Sequence, residues 1–168
     1  IEGIMLSAAF TSVLLANVTG NIMIGLLAAL AIGAILAAWH AVLSIQFKVN
    51  QIISGTVINI FATGVTNFLN QRIFYVTTEL NNQVTFPTIS QLVPDLGKIP
   101  ILGPLLFDQG PIVWTSLVLL VVIQIALFNT RWGLRTRAVG EHPRAADTLG
   151  INVFRTRYIN VILGGMVA

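Results

Sequence analysis

Apolar residues fill long, uninterrupted stretches of this chain instead of alternating with charged ones. Residues 3–47 contain no Asp, Glu, Lys or Arg. A helix needs only ~20 apolar residues to cross a bilayer core about 30 Å thick. The first stretch is therefore long enough to cross a membrane twice, and the Asn and Gly residues at positions 17–21 predict a turn between the two crossings.

The same pattern continues through the rest of the chain. Predicted spans cover residues 4–16, 22–47, 51–69 and 112–128, and the start of a further span covers residues 158–168. We therefore expect an all-α fold, a polytopic transmembrane helix bundle. Ile1 is not a methionine and the last apolar run is about half the ~20 residues of a span, so we expect the bundle to be incomplete at both ends.

Composition supports this class and excludes others. Hydrophobic residues make up 55% of the chain and charged residues 9%, whereas about 25% of the residues of a soluble domain are charged. The mean hydropathy is +0.86. The absence of cysteine excludes a disulfide framework and a thiol nucleophile. The nine basic residues do not indicate nucleic-acid binding, because in so apolar a chain they are better explained as topology signals.

Charge in the connections predicts the orientation, because cytoplasmic loops collect Lys and Arg. Residues 131–157 contain six arginines and two acidic residues, a net charge of +4. Residues 72–110 contain two basic and three acidic residues, a net charge of −1. We therefore expect residues 131–157 in the cytoplasm and the proline-rich connection 72–110 outside.

Small residues recur at every fourth position of the second predicted span and form one helix edge: Gly25, Ala29, Gly33, Ala37 and Ala41. Such an edge lets another helix approach closely, so we predict helix packing there. His40 lies near the inner end of the same span, without an acidic residue on a neighbouring turn. We therefore expect it to form a hydrogen bond or to lie at the interface, and not to carry protons.

The third predicted span carries polar, uncharged side chains on one face. At 3.6 residues per turn they fall within an arc about 100° wide: Thr56, Asn59, Thr63, Thr66, Asn67 and Asn70. Lipid cannot solvate hydroxyl and amide groups, so this polar face must point into the bundle or toward water. Two interpretations stay open: the face lines a path for a neutral polar solute, or it bridges helices through hydrogen bonds.

Patterns for catalysis are absent from the sequence. It has no glycine-rich phosphate loop ending in Gly-Lys-Ser or Gly-Lys-Thr, and neither histidine belongs to a cluster with metal-ligand spacing. We therefore predict no catalytic residue, no metal site and no cofactor. Any energy source is expected to be another chain or a gradient.

The polar stretch at residues 141–150 has the signals of a short helix. Pro143 suits the first helical position, and Gly150 suits the left-handed position after the last turn, where Ile151 can fold back on Ala146. One face of this helix is expected to carry Ala145, Ala146 and Leu149. Helices below ~12 residues are marginal in water, so this one must lie against the membrane surface or a cytoplasmic protein.

Residues 131–151, RWGLRTRAVGEHPRAADTLGI, closely resemble the cytoplasmic loop of bacterial ABC importer permeases of the branched-chain amino acid and simple sugar superfamily. The most similar subgroup is the nucleoside and simple sugar permeases. Residues 1–6, 50–55 and 101–107 also match, in the order of the family. The resemblance covers nearly the whole chain, and the family has further helices on both sides of it.

The resemblance implies a coupling helix that docks on a cytoplasmic ABC ATPase subunit, through Gly140, Glu141, His142, Pro143, Arg144, Ala145, Ala146, Leu149 and Gly150. It also implies a solute path lined by the polar face of the third span, with Glu2 as a further polar residue at a helix break. The implied partners are the ATPase, which would hydrolyse ATP in place of this chain, a second permease subunit and an external solute-binding protein. The implied location is the lipid bilayer of the bacterial cytoplasmic (inner) membrane.

The expected function is that of the membrane-spanning permease subunit of an ATP-driven importer for a small neutral polar solute, a nucleoside before a simple sugar. A branched-chain amino acid permease is the alternative of the same architecture, but it needs groups for an ammonium and a carboxylate, and only Glu2 is available near the path. A passive channel or a membrane scaffold also fits the composition, but neither requires a capped cytoplasmic helix.

Overall fold

The computed structural model describes residues 1–73 and 110–168. Neither range contains a strand. The chain divides into two units, one of Ile1–Val84 with Val139–Ala168 and the other of Thr85–Ala138. The connection predicted to be external, residues 72–110, lies almost entirely outside the described residues.

Long helices make up most of the described chain: α1 is Glu2–Thr19, α2 is Ile22–Ala41, α3 is Gln51–Ile73 and α4 is Pro111–Asn129. A π-helical segment, Val42–Gln46, extends α2. The remaining helices are shorter: α5 is Arg131–Glu141, α6 is Pro143–Thr148 and α7 is Val153–Val167.

Among the described residues, four helices are long and apolar enough to cross a membrane by length and composition: Glu2–Thr19, Ile22–Gln46, Gln51–Ile73 and Ile112–Asn129. The shortest of them have 18 residues, which at 1.5 Å per residue extend over about 27 Å. Their mean hydropathies lie between 1.3 and 2.5. The prediction of an all-α, polytopic membrane protein is confirmed.

The turn between α1 and α2 is shorter than predicted. α1 continues through Thr19, so the predicted end near residue 16 is wrong. The Thr19 hydroxyl donates to a carbonyl oxygen one turn earlier at 2.6 Å, and Gly20 takes the left-handed conformation, with φ 66°, that ends a helix. The side chain of Asn21 accepts from a backbone N–H in the first turn of α2 at 2.9 Å and so caps that helix.

Other helices approach the backbone of α2 along its small residues. Its buried positions are Gly25, Gly33, Ala37 and Ala41. A Cβ atom at Gly25 would lie 2.6 Å from the carbonyl oxygen of Ser12 in α1, and one at Gly33 would meet the carbonyl oxygen of Gly165 in α7. The predicted close packing along this edge is confirmed. The edge contacts two helices, α1 at Gly25 and α7 at Gly33.

The carboxyl-terminal end of α2 leads into α3 through a tight connection. The backbone N–H of Phe47 donates to the carbonyl oxygen of Val42 at 3.2 Å, which closes the π-helical segment. Lys48 follows with φ 53°, in the left-handed region that non-glycine residues seldom adopt. Asn50 Oδ1 accepts from the backbone N–H of Ile52 at 2.9 Å and starts α3.

α3 packs through residues that recur every fourth position. Its buried residues are Ser54, Ile58, Ala62 and Thr66. This face lies against α1 and, toward the start of α3, near α2. Beside it, the ring of Trp39 in α2 meets the ring of Phe61 edge to face, with centroids 5.6 Å apart.

The unit of Thr85–Ala138 contains the corner at which α4 leads into α5. The hydroxyl oxygen of Thr130 accepts from the backbone N–H of Gly133 at 3.2 Å. A Cβ atom at Gly133 would meet carbonyl oxygens at the end of α4, so only glycine fits this corner. The guanidinium of Arg137 lies 4.9 Å from the centroid of the Phe128 ring, where a cation–π interaction supports the same corner.

Two adjacent glycines of α7 provide a matched pair for testing the helix crossing. A Cβ atom at Gly165 would meet Ala37 and lie 2.8 Å from the carbonyl oxygen of Gly33, whereas no described atom lies within 4 Å of one at Gly164. Gly165→Ala should therefore lower the free energy of unfolding by about 1–3 kcal/mol through overpacking. Gly164→Ala should raise it by about 0.4–1 kcal/mol, because alanine restricts the unfolded chain. Denaturant titration of the purified membrane protein in bicelles measures both values, and equal effects would contradict the crossing.

Candidate functional site

The polar face of α3 divides into a packed part and an exposed part. Thr66 is 6% exposed and Asn59 is half-buried. The other members are exposed: Thr56, Thr63, Asn67 and Asn70. The polar face therefore lies beside the face that packs on α1, and the two overlap at Thr66.

Each threonine of the polar face donates its hydroxyl proton to its own helix. The hydroxyls of Thr56, Thr63 and Thr66 donate to carbonyl oxygens four residues earlier, at 2.9, 2.8 and 2.7 Å. A hydroxyl oxygen keeps two acceptor lone pairs after donating its proton. The exposed Thr56 and Thr63 are thus arranged to accept hydrogen bonds from outside the helix.

Asn59 joins the polar face to α1. Its Oδ1 accepts from the backbone N–H of Gly3 at 2.7 Å. A Cβ atom at Gly3 would lie 2.7 Å from the Cα atom of Asn59, so only glycine fits this contact. Glu2 is exposed in the first turn of α1, one residue from the contact. Asn59 therefore has a structural partner of its own, unlike the exposed members of the face.

A shallow depression lies on the exposed side of the polar face. Its volume is about 310 Å³, and it is lined by Asn59, Ile60, Thr63, Gly64 and Asn67. The lining offers two amides and one hydroxyl without a charged side chain. Such groups can exchange hydrogen bonds with a neutral polar molecule.

Ser54 is a residue of the packed interior that sequence reasoning missed. Its Oγ lies 3.0 Å from Nδ1 of His40, and it is 2% exposed. His40 thus forms a hydrogen bond, as predicted. Its spacing could have indicated its burial, because Ser54 is the first of the residues that recur at every fourth position on the buried face of α3. Within residues 1–73 and 110–168, no three His, Asp or Glu side chains are grouped to hold a metal ion.

The short helix α6 has the predicted start and end. Pro143 occupies its first turn, and Gly150 has φ 78°. The backbone N–H of Gly150 donates to the carbonyl oxygen of Asp147 at 2.9 Å, and that of Ile151 donates to Ala146 at 3.1 Å. This pair of bonds forms a Schellman motif, which satisfies carbonyl groups at the end of the helix.

The residues predicted to contact an ATPase differ in exposure. Ala146 is 2% exposed, whereas Leu149 is 80% exposed. Pro143 is half-buried, and the others are exposed: Gly140, Glu141, His142, Arg144, Ala145 and Gly150. Ala146 thus anchors the short helix inward, and the face that carries Ala145 and Leu149 is available to another molecule.

Comparison with known proteins gives one family over the whole chain. The family model described as branched-chain amino acid transport system / permease component matches residues 1–168. The guanosine ABC transporter permease protein NupQ of Bacillus subtilis (strain 168) is 39% identical over 175 residues, which are 99% of this chain and 54% of NupQ. The nucleoside ABC transporter permease protein NupC of Lactococcus lactis subsp. cremoris (strain MG1363) is 38% identical over 99% of this chain and 54% of its own length.

A third relative is also named as a permease protein. TsgC13 of Haloferax volcanii, named provisionally as a glucose ABC transporter permease protein, is 36% identical over 98% of this chain and 49% of its own length. The chain spans about half the length of the curated relatives it matches. No solved structure matches it. The resemblance carried by residues 131–151 is confirmed, and the chain belongs to the family of branched-chain amino acid transport system permease components.

Proposed function

We propose that this chain is part of the membrane-spanning permease subunit of an ATP-driven importer in the bacterial cytoplasmic membrane. The observation that carries the proposal is the exposed, uncharged polar face of α3, a helix long and apolar enough to cross a membrane. Lipid does not hydrate hydroxyl and amide groups, so this face needs a water-filled path or a second polar surface. A solute path between two permease subunits supplies both the water and the second polar surface.

The solute of this importer is small, neutral and polar. A nucleoside is the preferred candidate, ahead of a simple sugar. Uncharged groups on the polar face bind such a solute weakly and release it, as transport requires. The path is lined by Thr56, Asn59, Thr63, Thr66, Asn67 and Asn70, with Glu2 beside them. The names of NupQ and NupC, which refer to guanosine and nucleosides, support this choice.

A branched-chain amino acid is the second candidate solute, because the family description names it. A zwitterion needs partners for an ammonium and a carboxylate. Glu2 supplies a carboxylate, but the depression on the polar face has no cationic side chain to pair with the solute carboxylate. The residues of the polar face therefore favour the neutral solute.

The coupling segment, residues 140–150, connects this permease to its energy source. Residues 131–157 carry a net charge of +4, which supports a cytoplasmic location. The exposed Leu149 and Ala145 provide an apolar surface for a cytoplasmic ATPase subunit, and the Schellman motif keeps that surface in one conformation. ATP hydrolysis belongs to the ATPase, and an external solute-binding protein delivers the solute.

Cysteine crosslinking tests the docking surface, and the natural chain has no cysteine to interfere. In the complete transporter, Leu149→Cys should crosslink to a cysteine on the ATPase subunit, because its side chain is 80% exposed. Ala146→Cys is the matched control on the same short helix, and its burial predicts little crosslinking. Gel mobility of the crosslinked product measures both.

Two outcomes would count against this surface. One is the absence of a crosslink from Leu149→Cys when the ATPase subunit copurifies with the permease. The other is labelling of Leu149→Cys in intact cells by a thiol reagent that does not cross membranes, because such labelling would put the coupling segment outside.

Two asparagines of α3 distinguish a solute path from helix bridging. Asn59→Leu removes the acceptor for the backbone N–H of Gly3, so it should lower the free energy of unfolding by about 1–3 kcal/mol. Asn67→Leu changes an exposed residue of the depression and should leave stability within about 0.5 kcal/mol. Solute uptake by reconstituted transporters should nevertheless fall about tenfold in Asn67→Leu. Unchanged uptake in that variant would argue that the face only packs.

A further inference from the structure

A second depression, with a volume of about 300 Å³, lies where α6 leads into α7. This junction depression is lined by Asp147, Gly150, Ile151, Asn152, Val153 and Phe154. Two local motifs fix the backbone around it. The Schellman motif ends α6, and the Asn152 side chain accepts a backbone N–H at 2.9 Å and caps α7. The junction depression is therefore a preformed feature of the chain and does not depend on distant helices.

Asp147 is the only charged residue that lines the junction depression. Its surroundings are rich in cations, because residues 131–157 contain six arginines. Among the described residues, however, no arginine forms an ion pair with the Asp147 carboxylate. Arg144, one turn earlier on the same short helix, leaves it unpaired as well. The exposed carboxylate is therefore available to a cation from another molecule.

Phe154 provides aromatic surface at the same depression. It lines the depression and is 64% exposed. A guanidinium bonds to a carboxylate through two parallel N–H groups and also stacks on aromatic rings, whereas an ammonium is a compact point charge with a tighter hydration shell. A carboxylate and an exposed aromatic ring around one depression thus suit an arginine side chain better than a lysine side chain.

We propose that the junction depression receives an arginine side chain of the cytoplasmic ATPase subunit. Its guanidinium bonds to Asp147 and lies against Phe154. Leu149 lies between these two residues in the sequence and is 80% exposed, so its contact with the ATPase excludes water beside the ion pair and strengthens it. This inference rests on the proposed importer function and adds a specific polar contact to the apolar docking surface.

The positive charge around the junction depression makes this contact selective. Residues 131–157 carry a net charge of +4 and repel a cation that approaches elsewhere on the segment. Only a cation that meets Asp147 finds an opposite charge among the residues of the depression. Like charges that face each other penalise the wrong arrangement, so the single carboxylate sets the register in which the ATPase docks.

Removal of the carboxylate tests the site in the complete permease, embedded in nanodiscs and titrated with its purified ATPase subunit. Asp147→Asn should raise the Kd about tenfold or more, because the arginine loses its charged acceptor. Asp147→Glu keeps the carboxylate and should retain most of the affinity. Val49→Lys also raises the net charge by one, but it lies in the exposed connection between α2 and α3, outside the depression, so its Kd should match the parent value.

Removal of the ring and modification of the ATPase identify the cation. Phe154→Leu keeps an apolar side chain and should raise the Kd about threefold. Because both residues contact one guanidinium, Asp147→Asn with Phe154→Leu should cost less than the product of the two single effects. Phenylglyoxal, which modifies arginine, should make the treated ATPase lose much affinity for the parent permease and little for Asp147→Asn. Acetylation of ATPase lysines should lower both affinities equally or not at all.

The outcomes separate this contact from the importer itself. Equal Kd values for the parent permease and Asp147→Asn would overturn the site and leave the importer function intact. An equal rise in Kd for Asp147→Asn and Val49→Lys would overturn it too, because net charge alone would then explain the effect. A loss of Asp147-dependent affinity on lysine acetylation would refute the arginine assignment. A complete permease that binds no ATPase would contradict the importer function, and the site would fall with it.

Discussion

A bilayer core offers no water to hydroxyl, amide or backbone groups, and this constraint determines how α1, α2 and α3 are joined. Asn59 satisfies a backbone N–H of α1, and Ser54 pairs with His40 of α2, so two polar side chains hold α3 to its neighbours. The threonine hydroxyls of α3 donate their protons to carbonyl oxygens of the same helix. The exposed Asn67 and Asn70 are subject to the same constraint. The polar surface that they require lies beyond α3 itself, which is why the face points to a path or to another subunit.

Glycine has two opposite uses in this bundle, and neighbouring atoms distinguish them. At Gly25, Gly33 and Gly165 another backbone occupies the place of a Cβ atom. At Gly55 and Gly164 no described atom lies within 4 Å of that place. Spacing along the sequence identifies the first use, because small residues at every fourth position form one helix edge. Glycines of the second kind have no such periodic signature.

Sequence patterns predicted the features that depend on one helix at a time. The apolar runs predicted the spanning helices, and Pro143 and Gly150 predicted the limits of α6, because both follow from local backbone preferences. The end of α1 was misplaced because Asn17 and Thr19 favour turns but also fit the last turn of a helix, which here ends at the left-handed Gly20. The close packing along α2 was also predicted, but the residue that a side chain meets on another helix was not. The partner of His40 is an example, since Ser54 lies on a different helix, 14 residues further along the chain.

The junction between α6 and α7 connects the coupling segment to a helix that crosses α2. Only residues 149–152 separate the two helices. Gly150 and Ile151 bond to the last turn of α6, and Asn152 caps α7 by accepting a backbone N–H at 2.9 Å. With both helix ends fixed, this junction has little freedom to absorb a displacement of α6. α7 carries Gly165, at which it crosses α2 beside Gly33 and Ala37. Packed interfaces switch between discrete arrangements and do not deform continuously. Under the proposed function, an ATPase that moves α6 would therefore shift α7 and its crossing with α2 as a unit, and that shift would carry the motion of a cytoplasmic motor into the membrane.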